Sequence, residues 1–424
     1  MIERLVNLLK GEELDGYKIN EIKRETFQLF FVHEKIETIR KGVTADYSVT
    51  VYLSHGEFLG DAQFSAYPSS DDAEIKKVIA LAKEKALAVN NRPYELVKGG
   101  KGEFSSPGFI EGKSLKEVAA EIAEVVFSAK GGEGSALNAT EVFVYRNEKR
   151  VVNSEGVDKR SVSYSALLET IPTFNLENGS VEIYAQKEFG SLDKAELKTY
   201  VADKLKEVEE RAYAKKTDLP EKADVMLRGE EIGEILYEYV SQLSYGAVYN
   251  RSNAIKKGDE LQTGYECDRL FVTMKGKEEG CADSADFDDD GSAFIERDVI
   301  VGGKAVNYFG GNRYAQYLGE ENVGNLRIVK LGCGGLEKSS LNGKTYLECL
   351  QFSGLQVDLY TDYIGGEVRL AVFHDGEREI PVSGFSISAK LSDVMNTVKL
   401  SGKSCKLPGY SGPEFIVLKD FAIL

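Results

Sequence analysis

The segment at residues 287–327 constrains the fold more than any other stretch of this sequence. It opens on an acidic turn, 288–291, in which aspartate side chains can bond nearby backbone and the final glycine accepts a positive φ. A β-branched run then stops at Gly302-Gly303 and the chain returns, so the pattern predicts a hairpin whose tight turn needs glycine. Residues 312–318 predict a short helix that ends at Gly319.

The acidic cluster at residues 286–291 also invites a calcium-site interpretation, because it matches the first half of an EF-hand loop. The twelfth position of such a loop requires a glutamate, but Arg297 stands there and Glu296 comes one residue early. The pattern around the cluster predicts no flanking helices. We therefore interpret the cluster as a turn that opens the hairpin.

From residue 345 onward the sequence predicts successive strands separated by turns that contain glycine. Val368, Leu370 and Val372 alternate with their neighbours, as expected for a half-buried antiparallel strand. Strands are expected at residues 347–352, 356–361, 367–374 and 384–389.

The first half of the sequence predicts helices packed on an antiparallel sheet. Residues 18–67 alternate apolar and polar side chains, which is typical of a strand meander. Gly42-Val43 is echoed by Gly156-Val157 in a similar context, which indicates an internal duplication of a strand-meander-plus-helix unit. Helices are expected at residues 1–10, from a cap at 71–72 to residue 88, at 114–129 and at 192–214.

The length of 424 residues suits a protein of about two domains. Residues 215–220 are polar and end in proline, so they form the best candidate for a linker. The sequence therefore predicts an α+β protein with an N-terminal α+β domain at 1–216 and a C-terminal, mostly-β domain at 221–424.

The net charge of −16 and the pI near 5.0 argue against a nucleic-acid binder, which needs clustered Lys and Arg for phosphates. No apolar stretch approaches the ~20 residues of a membrane helix, and the N-terminus lacks the basic and apolar parts of a signal peptide. The 5 cysteines are scattered without CxxC spacing, as expected for reduced thiols. The sequence thus predicts a cytoplasmic protein without a direct nucleic-acid or membrane partner.

Val323-Gly324-Asn325 and Arg327 close the segment described first. The order of acidic turn, hairpin, short helix and this closing run resembles the signature region of the TldD/PmbA (TldE) family, often labelled modulators of DNA gyrase. Residues 376–388 and 392–394 resemble further runs of that family, and residues 412–415 resemble the closing segment of its PmbA/TldE branch. The resemblance covers nearly the whole chain.

In the catalytic TldD branch, the helix that corresponds to residues 229–245 carries an HExxxH motif, whose two histidines bind zinc and whose glutamate is a general base. Here the same positions hold Tyr237-Glu238-x-x-x-Gln242, so only the glutamate is kept. Because neither a phenol nor an amide is a usual zinc ligand, we interpret Tyr237 and Gln242 as a solvated helix edge. The resemblance also implies a cysteine ligand near the C-terminus, for which Cys405 is the nearest candidate.

The resemblance therefore implies a PmbA/TldE-like, non-catalytic subunit of a TldD/TldE-type metallopeptidase complex that processes unfolded peptides. It implies no cofactor in this chain and zinc in a TldD-like partner that carries HExxxH. Two alternatives stay open. One is a metallopeptidase with an altered metal site built from Glu238, Cys405 and another carboxylate. The other is a homodimeric peptide-binding protein.

Overall fold

The computed structural model describes residues 1–106, 108, 110–216, 219–264 and 266–424, and its fold is of the α+β class, as the sequence predicts. The helices of the first half are α1 Ile2–Lys10, α2 Asp72–Ala86, α3 Leu115–Ser128 and α4 Lys194–Tyr213. Its strands are β1 Gly16–Val32, β2 Lys35–His55, β3 Phe58–Ala66, β4 Lys101–Ser105, β5 Ser135–Asn153, β6 Asp158–Leu176, β7 Gly179–Glu182 and β8 Ala185–Phe189.

These strands form one eight-stranded sheet whose main path runs β3-β2-β1-β5-β6-β4, while β7 and β8 both pair with β6. The long strands β1 and β5 are antiparallel neighbours at its centre. A helix, two long strands and a closing helix occur twice in this order, with one shorter strand (β3) before α2 and two (β7 and β8) before α4. This repeated order agrees with the internal duplication that the sequence predicts.

Helix α2 shows why the helices of this half form where the sequence predicts them. Asp71 accepts a hydrogen bond from the backbone N–H of Glu74 at 2.8 Å, and the Glu74 side chain accepts one from the N–H of Asp71 at 3.1 Å. This capping box satisfies two N–H groups that the first turn leaves without partners. Ile75, Ile79 and Ala82 then fall on one buried face, which packs with α1 on the sheet.

The second half of the chain is richer in strands. Its helices are α5 Gly229–Ser241, α6 Tyr245–Tyr249, α7 Asn312–Leu318 and α8 Leu391–Met395, with a 3-10 turn at Lys338–Leu341. Its strands are β9 Lys222–Arg228, β10 Val272–Lys275, β11 Arg297–Val301, β12 Lys304–Ala305, β13 Ile328–Leu331, β14 Thr345–Asp358, β15 Tyr363–Asp375, β16 Glu379–Val382, β17 Phe385–Lys390, β18 Lys399–Leu400, β19 Ser404–Leu407, β20 Tyr410–Pro413 and β21 Phe415–Ile423.

Helix α5 packs against two sheets. One runs β12-β11-β10-β13-β20-β19, and the other runs β14-β9-β21-β17-β15-β16. Because β14 also pairs with β15, the strands β14, β9, β21, β17 and β15 form a closed ring. The apolar face of α5 shares one hydrophobic core with both sheets, and this core fixes the position of the helix.

The segment at 287–327 folds as its sequence predicts. Strands β11 and β12 form the antiparallel hairpin, and Gly302 and Gly303 form its turn with φ values of 61° and 79°. Helix α7 ends at Gly319, whose φ of 70° lies in the left-handed region. Local turn chemistry was therefore sufficient to predict this part of the fold.

Two element predictions in the second half are wrong. The strands expected at 347–352 and 356–361 are one strand, β14, because register shifts between Cys349 and Gly354 absorb the irregularity without breaking the pairing with β15. The helix expected at 229–245 ends at Ser241, and a separate short helix, α6, follows.

No described strand of the first half joins a sheet of the second half, so the sheets divide the chain as the two-domain prediction requires. The bounds 1–216 and 221–424 stay a prediction, and the part of the expected linker at Thr217 and Asp218 lies outside the described residues. Among the described helices, none combines the length and the apolar character that a membrane span requires.

Candidate functional site

Helix α5 is the element that the sequence singled out as the counterpart of a zinc-binding helix. Ile232, Ile235, Leu236, Tyr239 and Val240 are buried on one face, as the helical spacing predicts. The opposite face lines an open cleft with a volume of about 1040 Å³. The helix thus presents its outer side chains to a space large enough for a ligand.

The second half of strand β14 forms the facing wall of this cleft. Residues 354–358 line it, together with Val329 on β13 and Tyr410 on β20. These β14 residues pair with β15 on one side only, because β9 pairs with β14 no further than Leu347 and Glu348. Among the described residues, the other backbone edge of 354–358 has no strand partner.

Tyr237 and Glu238 both line the cleft, and the structure places them as the helical spacing implies. The Tyr237 side chain is 64% exposed, which agrees with a solvated helix edge. Glu238 is half-buried, and its side chain has no ion-pair or hydrogen-bond partner among the described residues. Glu238 is thus the one carboxylate that could face a bound ligand from the position of the motif.

The interpretation of Gln242 as part of that solvated edge is wrong. Gln242 is buried, and its amide oxygen accepts hydrogen bonds from the N–H of Ala254 at 2.7 Å and the hydroxyl of Tyr360 at 3.3 Å. It stands at the C-cap of α5, where the chain turns towards α6. Its amide therefore holds a loop in place and does not point into the cleft.

Cys405 lies at the other end of α5 from Glu238. Its Sγ packs against Gly229, where an added Cβ would come within 2.6 Å of the sulfur. Gly229 and Glu238 are nine residues apart, which corresponds to ~13 Å along a helix axis. Burial, and then the charge of Glu230, raise the pKa of the Cys405 thiol to about 12.

These positions do not fit the zinc that the resemblance implies for the catalytic branch. Zinc needs several nitrogen, sulfur or carboxylate donors at ~2 Å, and a protonated thiol ~13 Å from Glu238 cannot complete such a set. Among the described residues, no group of three His, Cys, Asp or Glu side chains is arranged to hold a metal ion. The altered metal site built from Glu238 and Cys405 therefore has no support in the geometry.

The acidic cluster at 286–290 is a turn, as the sequence predicts, and it docks on the sheet of the first half. The Asp288 carboxylate is fully buried and accepts hydrogen bonds from its own turn. Lys149 on β5 bonds Asp289 at 2.7 Å, Lys159 on β6 donates to the carbonyl oxygen of Gly291 at 2.7 Å, and Lys18 on β1 pairs with Asp290. Lysine ammonium groups thus occupy the places where a calcium ion would need open oxygens.

Sequence reasoning missed a buried charged cluster between α4 and the second half. Glu348 on β14 accepts hydrogen bonds from Arg228 at 3.2 Å and Lys338 at 2.9 Å, and Arg228 also pairs with Glu207 on α4. Nε2 of His374 lies 3.4 Å from the Glu348 carboxylate. Since 120 residues separate Arg228 from Glu348, no local spacing could have revealed the pair.

Residues 220–423 match a family model described as the PmbA/TldA metallopeptidase C-terminal domain. No curated protein matches the chain.

Several solved structures share the fold over the full length. TldE from Thermococcus kodakarensis has a TM-score of 0.78 and 14% identity, over 99% of this chain and 99% of that chain. A putative modulator of DNA gyrase from Bacteroides thetaiotaomicron has a TM-score of 0.77 and 16% identity, over 100% and 98%. A second such protein, from Thermotoga maritima, has a TM-score of 0.74 and 14% identity, over 100% and 99%. At these identities the likeness shows a common fold.

Proposed function

The chain belongs to the TldD/PmbA family, and we propose that it serves there as a TldE-like, non-catalytic subunit of a TldD/TldE-type metallopeptidase. In this proposal it holds unfolded peptides during their processing, and a TldD-like partner with an HExxxH motif supplies the zinc and cleaves. The cytoplasmic location expected from the sequence belongs to the same proposal.

The observation that carries the proposal is the outer face of α5. It lines the cleft as a catalytic helix would, but Glu238 is the one side chain at the three motif positions that is both a usual zinc donor and open to the cleft. Tyr237 offers a phenol, and Gln242 is committed to Ala254 and Tyr360. The proposal therefore treats this face as the scaffold of a peptidase site that lacks its metal-binding side chains.

The free edge of β14 supports the peptide-holding part of the proposal. An extended peptide can add to such an edge as a further strand, because its backbone N–H and C=O groups bond those of residues 354–358. Main-chain bonds of this kind are independent of the peptide sequence, which suits substrates that are unfolded. Most backbone groups of a folded protein are already paired, so the edge favours unfolded segments.

Reconstitution with a TldD-type protein that carries HExxxH tests the proposal. We expect the two chains to co-purify and the pair to cleave a disordered peptide, while this chain alone cleaves none. Glu238→Gln in this chain should leave the pair able to cleave, because the proposal gives Glu238 no part in the chemistry. The matched control is the same Glu→Gln change in the HExxxH motif of the partner, which should abolish cleavage.

Cleavage by this chain alone, abolished by Glu238→Gln, would contradict the proposal and favour an altered peptidase site. Tight self-association without any affinity for the HExxxH protein would instead favour the homodimeric peptide-binding alternative. Size-exclusion chromatography with light scattering distinguishes these assemblies.

A further inference from the structure

The cleft beside α5 carries a stripe of acidic side chains. Glu230, Glu234 and Glu238 follow one another at four-residue intervals on the outer face of the helix and all line the cleft, as does Asp283. None of these four carboxylates forms an ion pair with a described cation. They are therefore available to a ligand.

Among the described residues that line the cleft, Arg327 is the one cation, and it forms no ion pair with this stripe. Arg327 is bonded instead to Asp289 of the docked acidic turn at 3.0 Å. Asp358 at the end of β14 is also committed, because it caps its own turn through Tyr360 and Thr361. The unpaired charge of the cleft is thus concentrated on α5 and Asp283.

One member of the stripe, Glu234, has a raised pKa. Burial, and then the charge of Glu230, raise the pKa of Glu234. The same two causes, in the same order, raise the pKa of the neighbouring Glu231 to about 7. A positive charge placed in the cleft would relieve this repulsion.

The spacing of the stripe matches an extended peptide. A helix rises 1.5 Å per residue, so Glu230, Glu234 and Glu238 are ~6 Å apart along the axis and span ~12 Å. Alternate side chains of a β-strand lie on one face and repeat every ~6.6 Å, so three of them span ~13 Å. The free edge of β14 at 354–358, in the same cleft, is the place where such a strand would pair.

We propose that this cleft selects extended peptides with Lys or Arg at alternate positions, whose ammonium or guanidinium groups pair with Glu230, Glu234 and Glu238 while their backbone adds to β14. This inference rests on the proposed function and names the substrate class of the same site. Backbone pairing supplies affinity for any unfolded segment, and the acidic stripe supplies the preference among them.

Binding of labelled, unfolded peptides to the full chain, followed by fluorescence anisotropy, tests this selection. The probes share one length and differ in three alternate positions, which carry Lys, Gln or Glu; a fourth probe places the three Lys side by side. We expect the alternating Lys peptide to bind about tenfold more tightly than the Gln peptide, the sum of three exposed ion pairs. The preference should weaken as salt is raised.

The variant Glu230→Gln/Glu234→Gln/Glu238→Gln should bind the Lys and Gln peptides equally. Its matched control is Glu57→Gln/Glu84→Gln/Glu124→Gln, which removes the same charge from exposed positions outside the cleft and should keep the preference. Glu234→Lys, a single change at an exposed site, should weaken the preference for the Lys peptide, because the added ammonium group repels a Lys side chain and offsets one of the two remaining carboxylates.

Equal binding of the Lys and Gln peptides by the unaltered chain would overturn the inference and leave the proposed function standing. Equal loss of preference in the cleft variant and its control would also overturn it, because the attraction would then come from net charge alone. Failure of every peptide to bind would overturn both the inference and the peptide-holding role.

Discussion

Replacing Asp288 with alanine is expected to lower the free energy of unfolding by ~3–5 kcal/mol, because three backbone N–H groups around a buried carboxylate lose their acceptor at once. The Asp288 carboxylate has no exposed surface and accepts from the N–H groups of Asp290 at 2.9 Å, Ser292 at 2.8 Å and Asn325 at 3.1 Å. Urea unfolding at neutral pH measures the change.

Asp289→Ala is the matched control, since it removes the neighbouring carboxylate of the same turn. The Asp289 side chain is 56% exposed and pairs with Lys149 at 2.7 Å and Arg327 at 3.0 Å, so its loss should change the free energy of unfolding by no more than ~1 kcal/mol. If both substitutions lowered the free energy of unfolding equally, the negative charge of the cluster, and not the hydrogen bonds within the turn, would stabilise this region.

Glu348→Ala should also lower the free energy of unfolding by ~3–5 kcal/mol, because it removes a buried carboxylate and leaves the half-buried guanidinium of Arg228 short of one partner. Glu348 is buried and bonded to Arg228 and Lys338, and it lies beside His374. The control is Glu377→Ala, which removes an exposed carboxylate from the pocket that Glu348 and His374 also line and should change the free energy of unfolding by less than ~0.5 kcal/mol.

The effect of Glu348→Ala should depend on pH. Burial alone would raise the pKa of Glu348, but His374, Lys338 and Arg228 together hold it well below its usual value. A carboxyl group whose pKa is lowered in the folded state stabilises the fold above its unfolded pKa and loses this contribution as pH falls through the folded one. The difference between Glu348→Ala and the unaltered chain should therefore be full at pH 7 and shrink below about pH 4.5. A difference that grows on acidification would contradict this assignment.

The sequence predicted those elements whose causes are local. The glycine turn at Gly302-Gly303, the end of α7 at Gly319 and the capping box of α2 each depend on residues within a few positions of one another. Helix α5 was also predicted from its apolar spacing, although its end was placed four residues too late. The spacing of apolar residues predicts which face of a helix is buried, but it predicts the end of the helix poorly.

What the sequence could not supply depends on contacts between distant segments. Gln242 is buried where Ala254 and Tyr360 donate hydrogen bonds to its amide oxygen. Both partners are distant in the sequence, so the residues next to Gln242 do not predict them. The sequence leaves open whether Cys405 and Glu238 share a metal. The fold places Cys405 beside the first residue of α5 and Glu238 near the last, so they do not meet. The free edge of β14 could not be predicted from the sequence either. It depends on where the pairing with β9 ends, and that pairing joins segments far apart in the chain.

The measurement that tests the central claim most directly is amide hydrogen exchange of the full chain, with and without a saturating unfolded peptide. The account predicts that residues 354–358 of β14 gain protection while the peptide stays intact, as expected for a strand added at the free edge beside α5. Protection confined to other segments, or a peptide cut during the incubation, would contradict a non-catalytic subunit that holds its substrate at this edge.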